Sequence, residues 1–157
     1  MSGAGSGGSS GSGGSGSDPS QLPSDTTATG IASFIQAGTY KSWVHDAAPR
    51  PAFSLLTHGN NMQVYFNELA VAAGVQGEPA PGGMVIKEIY GEDNVTLLGV
   101  AASIKVAAGD EWIYYCTNAG GTLCTGQTET VDPIYSNGGD NACSTCHAEV
   151  IFSKLPQ

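Results

Sequence analysis

Cys143-Ser144-Thr145-Cys146-His147 places two thiols three positions apart, with an imidazole directly after the second. That spacing is the attachment signature of a c-type haem. Two thiolates bond to the two vinyl positions of a porphyrin, and the next side chain is carried under the iron as an axial ligand. On this reading Cys143 and Cys146 anchor one covalent haem c per chain, and His147 is the proximal ligand of its iron. The cysteine and histidine content of the chain would produce the pattern by accident in roughly one sequence in five hundred. Two other uses of the motif stand beside the first. A tetrahedral zinc site needs two more ligands, and His45, His58, Cys116 and Cys124 form no second tight cluster at structural-zinc spacings. A thioredoxin-like dithiol usually opens a helix within a βαβ pattern, and the chain has no such pattern.

The elements that must position this motif are mostly extended. Residues 84–90 form the clearest strand: Met84, Ile86, Glu88 and Tyr90 alternate with Val85, Lys87 and Ile89, so Lys87 falls between two β-branched apolar residues on one face. A turn at Gly91-Glu92-Asp93-Asn94 leads into a second extended stretch over 95–106, interrupted by Gly99 and small Ala residues. After the turn at Ala107-Ala108-Gly109-Asp110, residues 111–117 make a third strand, dense in aromatic and β-branched side chains. Three strands joined by short turns predict an antiparallel meander rather than a parallel sheet with crossover helices. Upstream, 62–67 reads as another strand and 68–75 as a short Ala/Leu-rich helix. Residues 30–44 read as a helix from the recurrence of Ile31, Phe34, Ile35, Trp43 and Val44, with Thr27 or Thr29 as cap and a break open at Gly38. The stretch 127–141 reads as irregular. The fold class expected is therefore mainly β (α+β): an antiparallel meander with a few helices packing a covalently bound haem.

Cys116 and Cys124 flank Gly120-Gly121, a plausible turn. In an oxidising compartment the two would close that loop as a disulfide, with about 2–3 kcal/mol of stabilisation on the chain-entropy picture. Two unpaired structural thiols are the alternative.

The first 17 residues hold eight Gly and seven Ser, too little apolar surface to offset the entropy of ordering. Residues 1–28 are read as a disordered tether and 29–157 as one haem domain with a workable core. Fourteen acidic side chains against five basic ones give a net charge of −9, to which haem propionates would add. Nucleic acid and anionic membrane surfaces are poor partners for such a field. Haem attachment of this kind takes place outside the cytoplasm in bacteria, yet no apolar signal core follows Met1. The expectation is a periplasmic or surface-anchored lipoprotein whose leader is missing from a truncated start.

Taken in order, the words Thr39-Tyr40-Lys41-Ser42-Trp43-Val44, His58-Gly59, Val64-Tyr65-Phe66-Asn67, Gly83-Met84-Val85-Ile86-Lys87-Glu88, Asp110-Glu111-Trp112-Ile113-Tyr114 and the terminal Cys-x-x-Cys-His resemble the cytochrome P-460 and cytochrome c′-beta family. The resemblance implies a mainly antiparallel β-sheet around a c-type haem. In the cytochrome P-460 branch a lysine is bonded to a meso carbon of the porphyrin, and Lys87 occupies the matching position. A lysine whose stem packs on the sheet while its ammonium reaches water is the plainer role. The residues after the motif, Ala148-Glu149-Val150-Ile151-Phe152, depart from the Asp-containing segment of the family. Enzymatic members carry a polar acid–base group over the iron; Asp140 is the candidate here, and a solvated turn residue after Gly138-Gly139 is its plainer role.

The sixth iron position then decides function. Met62 and Met84 alternate with core residues and suit packing better than ligation, and His45 and His58 are the available imidazoles. None argues for a strong sixth ligand. The expectation is a five-coordinate haem acting on small nitrogen species, oxidising hydroxylamine or nitric oxide and passing electrons to an external acceptor. The alternatives are a nitric-oxide-binding haem protein without turnover and a simple electron carrier. Family members are often dimers, so the resemblance also implies a homodimer.

Overall fold

Period-two alternation and β-branched side chains make strands the main regular structure of the described residues, and the computed structural model describes residues 22–23, 25–51, 61–74, 77–106, 111–122 and 134–135. Its elements are a helix α1 (Ala28–Ala37), a 3-10 turn (Thr39–Ser42), strands β1 (Val44–His45), β2 (Arg50–Pro51) and β3 (Asn61–Phe66), a short helix α2 (Glu68–Ala73), and strands β4 (Met84–Tyr90), β5 (Leu97–Lys105), β6 (Glu111–Asn118) and β7 (Ile134–Tyr135). They form one sheet in the order β1-β3-β4-β5-β6-β7, with β2 also pairing β3. Every pairing is antiparallel. The architecture is mainly β, as the alternation predicted, and the meander extends from β3 through β6.

Two expectations need correction. The helix over 30–44 starts earlier, at Ala28, and ends at Ala37. Thr27 caps its start by accepting the Gly30 N–H, and Gly38 ends it with φ +71°, a left-handed conformation that glycine adopts without a Cβ penalty. Trp43 and Val44, expected within the helix, lie beyond the break; Val44 opens strand β1. The stretch 127–141 contains a short strand, because Glu111 and Trp112 of β6 pair with Tyr135 and Ile134.

Paired residues on neighbouring strands share a face, and this defines two sides of the sheet. One side carries Tyr65, Met84, Ile86, Ala102, Ile104, Ile113 and Tyr115, packed beneath Ile31 and Phe34 of α1 and the adjoining Tyr40 and Trp43. The other carries Val64, Phe66, Val85, Trp112 and Tyr114, with Ala70 of α2 against them. Asn67 joins α2 to the sheet. Its Oδ1 accepts the N–H groups of Ala70 and Met84, both at 3.0 Å, and its Nδ2 donates to the Gly82 carbonyl at 2.8 Å. At Gly99 a Cβ would stand 2.5 Å from the Thr117 carbonyl oxygen, so β5 and β6 approach there only because the side chain is absent.

Candidate functional site

Strand β4 presents its neighbouring residues Lys87 and Glu88 to opposite sides of the sheet. Lys87 is half-buried and lies in a cross-strand row with Val64, Ala101 and Cys116, on the side away from α1. Two strand spacings separate Lys87 from Cys116, roughly 10 Å along that row. Cys116 is disulfide-bonded. Its expected partner Cys124, together with Cys143, Cys146, His147, Asp140 and His58, lies outside the described residues. Among the described residues no three His, Cys, Asp or Glu side chains converge as a metal site, and no helix is long and apolar enough to cross a membrane.

The sixth-ligand candidates that are described fall into different places. Met84 is fully buried in the core beneath α1, on the opposite side from Lys87. Met62 packs at the margin of the cluster on the Lys87 side. His45 lies on the edge strand β1, its Nδ1 2.7 Å from the Trp43 carbonyl and its ring 5.0 Å from that of Tyr65.

On the α1 side, sequence reading overlooked a polar centre. Glu88 is 2% exposed. Its Oε1 accepts the Tyr40 hydroxyl at 2.6 Å and lies 3.1 Å from the Lys41 ammonium, and its Oε2 accepts the hydroxyls of Tyr65 at 2.8 Å and Tyr90 at 2.7 Å. The 3-10 turn supplies Tyr40 and Lys41, β3 supplies Tyr65, and β4 supplies Tyr90. Burial alone pushes the Glu88 carboxyl up; donation from Tyr40, Tyr90, Tyr65 and Lys41 together outweighs it and holds the group below the ordinary carboxylate value, so it is an anion. The phenols move the other way. Burial, then donation to Glu88 and its negative charge, raises Tyr40 and Tyr65 well above the usual phenol value and pushes Tyr90 up to about 12.

The rings around this carboxylate touch. Tyr40 and Tyr65 meet edge to face with centroids 5.0 Å apart, and Tyr40 and Trp43 do so at 6.3 Å. A signal for the centre was present in the alternation, which puts an acid among Met84, Ile86 and Tyr90 on an apolar face. A carboxylate at such a position must find donors. Alternation cannot say which donors these are, since Tyr40 is 48 residues away in sequence.

A second buried charge, Lys105 at the end of β5, is also one that sequence reading did not single out. Its side chain is 1% exposed, its ammonium pairs with Glu78 and stands 5.0 Å from the centre of the Trp112 ring. The arrangement is a cation–π contact closed by an exposed carboxylate.

Compared with known proteins, the chain matches no family model, no curated protein and no solved structure.

Proposed function

We propose that the chain is a c-type haem protein of the periplasm or cell surface that acts on small nitrogen species, with hydroxylamine or nitric oxide oxidised at a five-coordinate iron. The observation that carries this reading is the Cys143-x-x-Cys146-His147 motif. Cys143 and Cys146 would hold haem c through thioether bonds, and His147 would bind the iron. The group would supply iron able to bind the substrate nitrogen and to exchange one electron at a time.

The residues that are described fit such a group in one respect. Lys87 stands half-buried on the side of the sheet away from α1, where Ala101 and Gly99 lower the relief beside it. There its amine would bond to the porphyrin edge, as in the family the sequence resembles. Asp140 would hold or release a proton near the substrate, and an external acceptor would take the electrons. The acidic surface favours a partner or small ligand that is neutral or cationic.

Protein expressed in a host that matures c-type cytochromes tests this directly. The expected product is red and gains the mass of one haem. Cys143→Ser combined with Cys146→Ser abolishes both, and a colourless wild-type product refutes the reading. A red-shifted ferrous band, together with a peptide in which Lys87 is bonded to the macrocycle, marks the cross-linked branch. An unmodified Lys87 in haem-loaded protein removes the cross-link, and then nitric oxide binding without hydroxylamine turnover identifies the binding protein instead.

A further inference from the structure

The Glu88 centre has a chemical capacity that does not depend on haem. Three phenols donate to a single buried carboxylate, and Tyr40, which makes the shortest of the three bonds, also packs against Tyr65 and Trp43. Removing one electron from a phenol makes it a strong acid. In a buried site without a base the product is a trapped cation, which is costly. Here the base is already hydrogen-bonded at 2.6 Å.

We propose that Tyr40, Tyr65, Tyr90 and Glu88 form a proton-coupled one-electron redox site. A high-potential, metal-centred one-electron oxidant takes an electron from one of the three phenols and is itself reduced by one electron. The phenolic O–H bond breaks, and an O–H bond forms on Glu88. The products are a neutral phenoxyl radical and a neutral carboxylic acid. No new buried charge appears, and the Lys41 ammonium that balanced Glu88 is 59% exposed and remains solvated. Return of one electron restores the phenol as the proton moves back. A carboxylate that gains one proton loses its charge, so the site stores one oxidising equivalent at a time. Tyr90 is half-buried, whereas Tyr40 is 2% exposed, so an oxidant in solution meets the cluster at Tyr90 and the hole is shared inward.

Flash photolysis of the full-length protein with ruthenium tris-bipyridine and a cobalt(III) ammine as sacrificial acceptor tests the proposal. The net charge of −9 attracts the cationic photo-oxidant. The expected result is a neutral phenoxyl signal, in optical absorption and electron paramagnetic resonance, of at most one spin per chain. Glu88→Gln shortens its lifetime several-fold, combined Tyr40→Phe, Tyr65→Phe and Tyr90→Phe abolishes it, and Tyr114→Phe leaves it unchanged. Should Glu88→Gln fail to fold, the three single Tyr→Phe variants, each keeping the carboxylate, report which ring holds the radical. Absence of a phenoxyl signal, its localisation on Tyr114 or Tyr115, or a lifetime indifferent to Glu88→Gln in folded protein overturns the proposal and leaves the centre a structural joint.

Discussion

A carboxylate offers about four acceptor directions, and Glu88 meets them with the hydroxyls of Tyr40, Tyr65 and Tyr90 and the ammonium of Lys41. Satisfaction this complete makes the residue expensive to alter. Glu88→Ala strands the buried hydroxyls of Tyr40 and Tyr65 and the half-buried one of Tyr90 and should cost about 3–5 kcal/mol, read as a lower urea midpoint with unchanged slope. Tyr40→Phe removes one charge-assisted bond and should cost about 1.5–3 kcal/mol, whereas Lys41→Ala, at the exposed end, should cost at most about 1 kcal/mol. The pH dependence follows from the same contacts. The folded Glu88 carboxyl titrates below the ordinary carboxylate value, so folded protein binds fewer protons there than unfolded protein. The stabilisation is full above that value and is lost as pH falls through the lower folded one. The phenols are raised, so their contribution is full below the ordinary phenol value and disappears as pH rises through about 12 at Tyr90. An ultraviolet titration should show Tyr40, Tyr65 and Tyr90 ionising only with alkaline unfolding. In the Glu88→Gln variant the acid limb of the stability profile should flatten.

At the scale of elements, the cover over one side of the sheet depends on where α1 stops. Gly38 turns the chain with φ +71°, and a Cβ there would meet nothing within 4 Å. Gly38→Ala therefore isolates a backbone cost of about 1–2 kcal/mol, visible as a lower melting temperature, and Gly38→Asn should recover part of it. Gly99→Ala is a steric change instead, since its Cβ meets the Thr117 carbonyl, and should loosen the β5–β6 pairing more than Gly38→Ala loosens α1. These two glycines also show what was legible in the sequence. The span of β4 was read to the residue because alternation is strict from Met84 to Tyr90 and glycine-bearing turns bound it. The end of α1 was blurred because apolar Trp43 and Val44 follow closely after Gly38, although a continued helix would turn Trp43 to the side opposite Phe34. Trp43 reaches the same core from a 3-10 turn and an extended residue rather than from a continuous helix. The Glu88 centre went unread: the alternation sets its acid on an apolar face, but its donors depend on how the 3-10 turn and β3 are brought together, and no local pattern records that.

At the scale of the whole molecule, the cysteines impose a constraint that joins the sheet to the Cys-x-x-Cys-His motif. The chain has four cysteines, and Cys116 is disulfide-bonded. Its partner within the chain must be Cys124, Cys143 or Cys146. Thioether attachment consumes Cys143 and Cys146 together, so a haem held by both requires that Cys116 pair with Cys124. Digestion of the haem-loaded protein with a glutamate-specific protease, without reduction, cuts after Glu129 between the two cysteine pairs and should therefore find Cys116 linked to Cys124 within one peptide and the peptide containing Cys143, Cys146 and His147 carrying the porphyrin mass. The Cys116→Ser and Cys124→Ser variants should then lose about 2–3 kcal/mol of stability each and no more when combined, because both delete the same bond. Haem content should survive in all three. If Cys116 is instead linked to Cys143 or Cys146, two thioethers cannot form, and the motif serves a disulfide framework rather than a cofactor. The same map thus bears on the row that Cys116 shares with Lys87 through Ala101, because the bond to Cys116 is made from the end of that row.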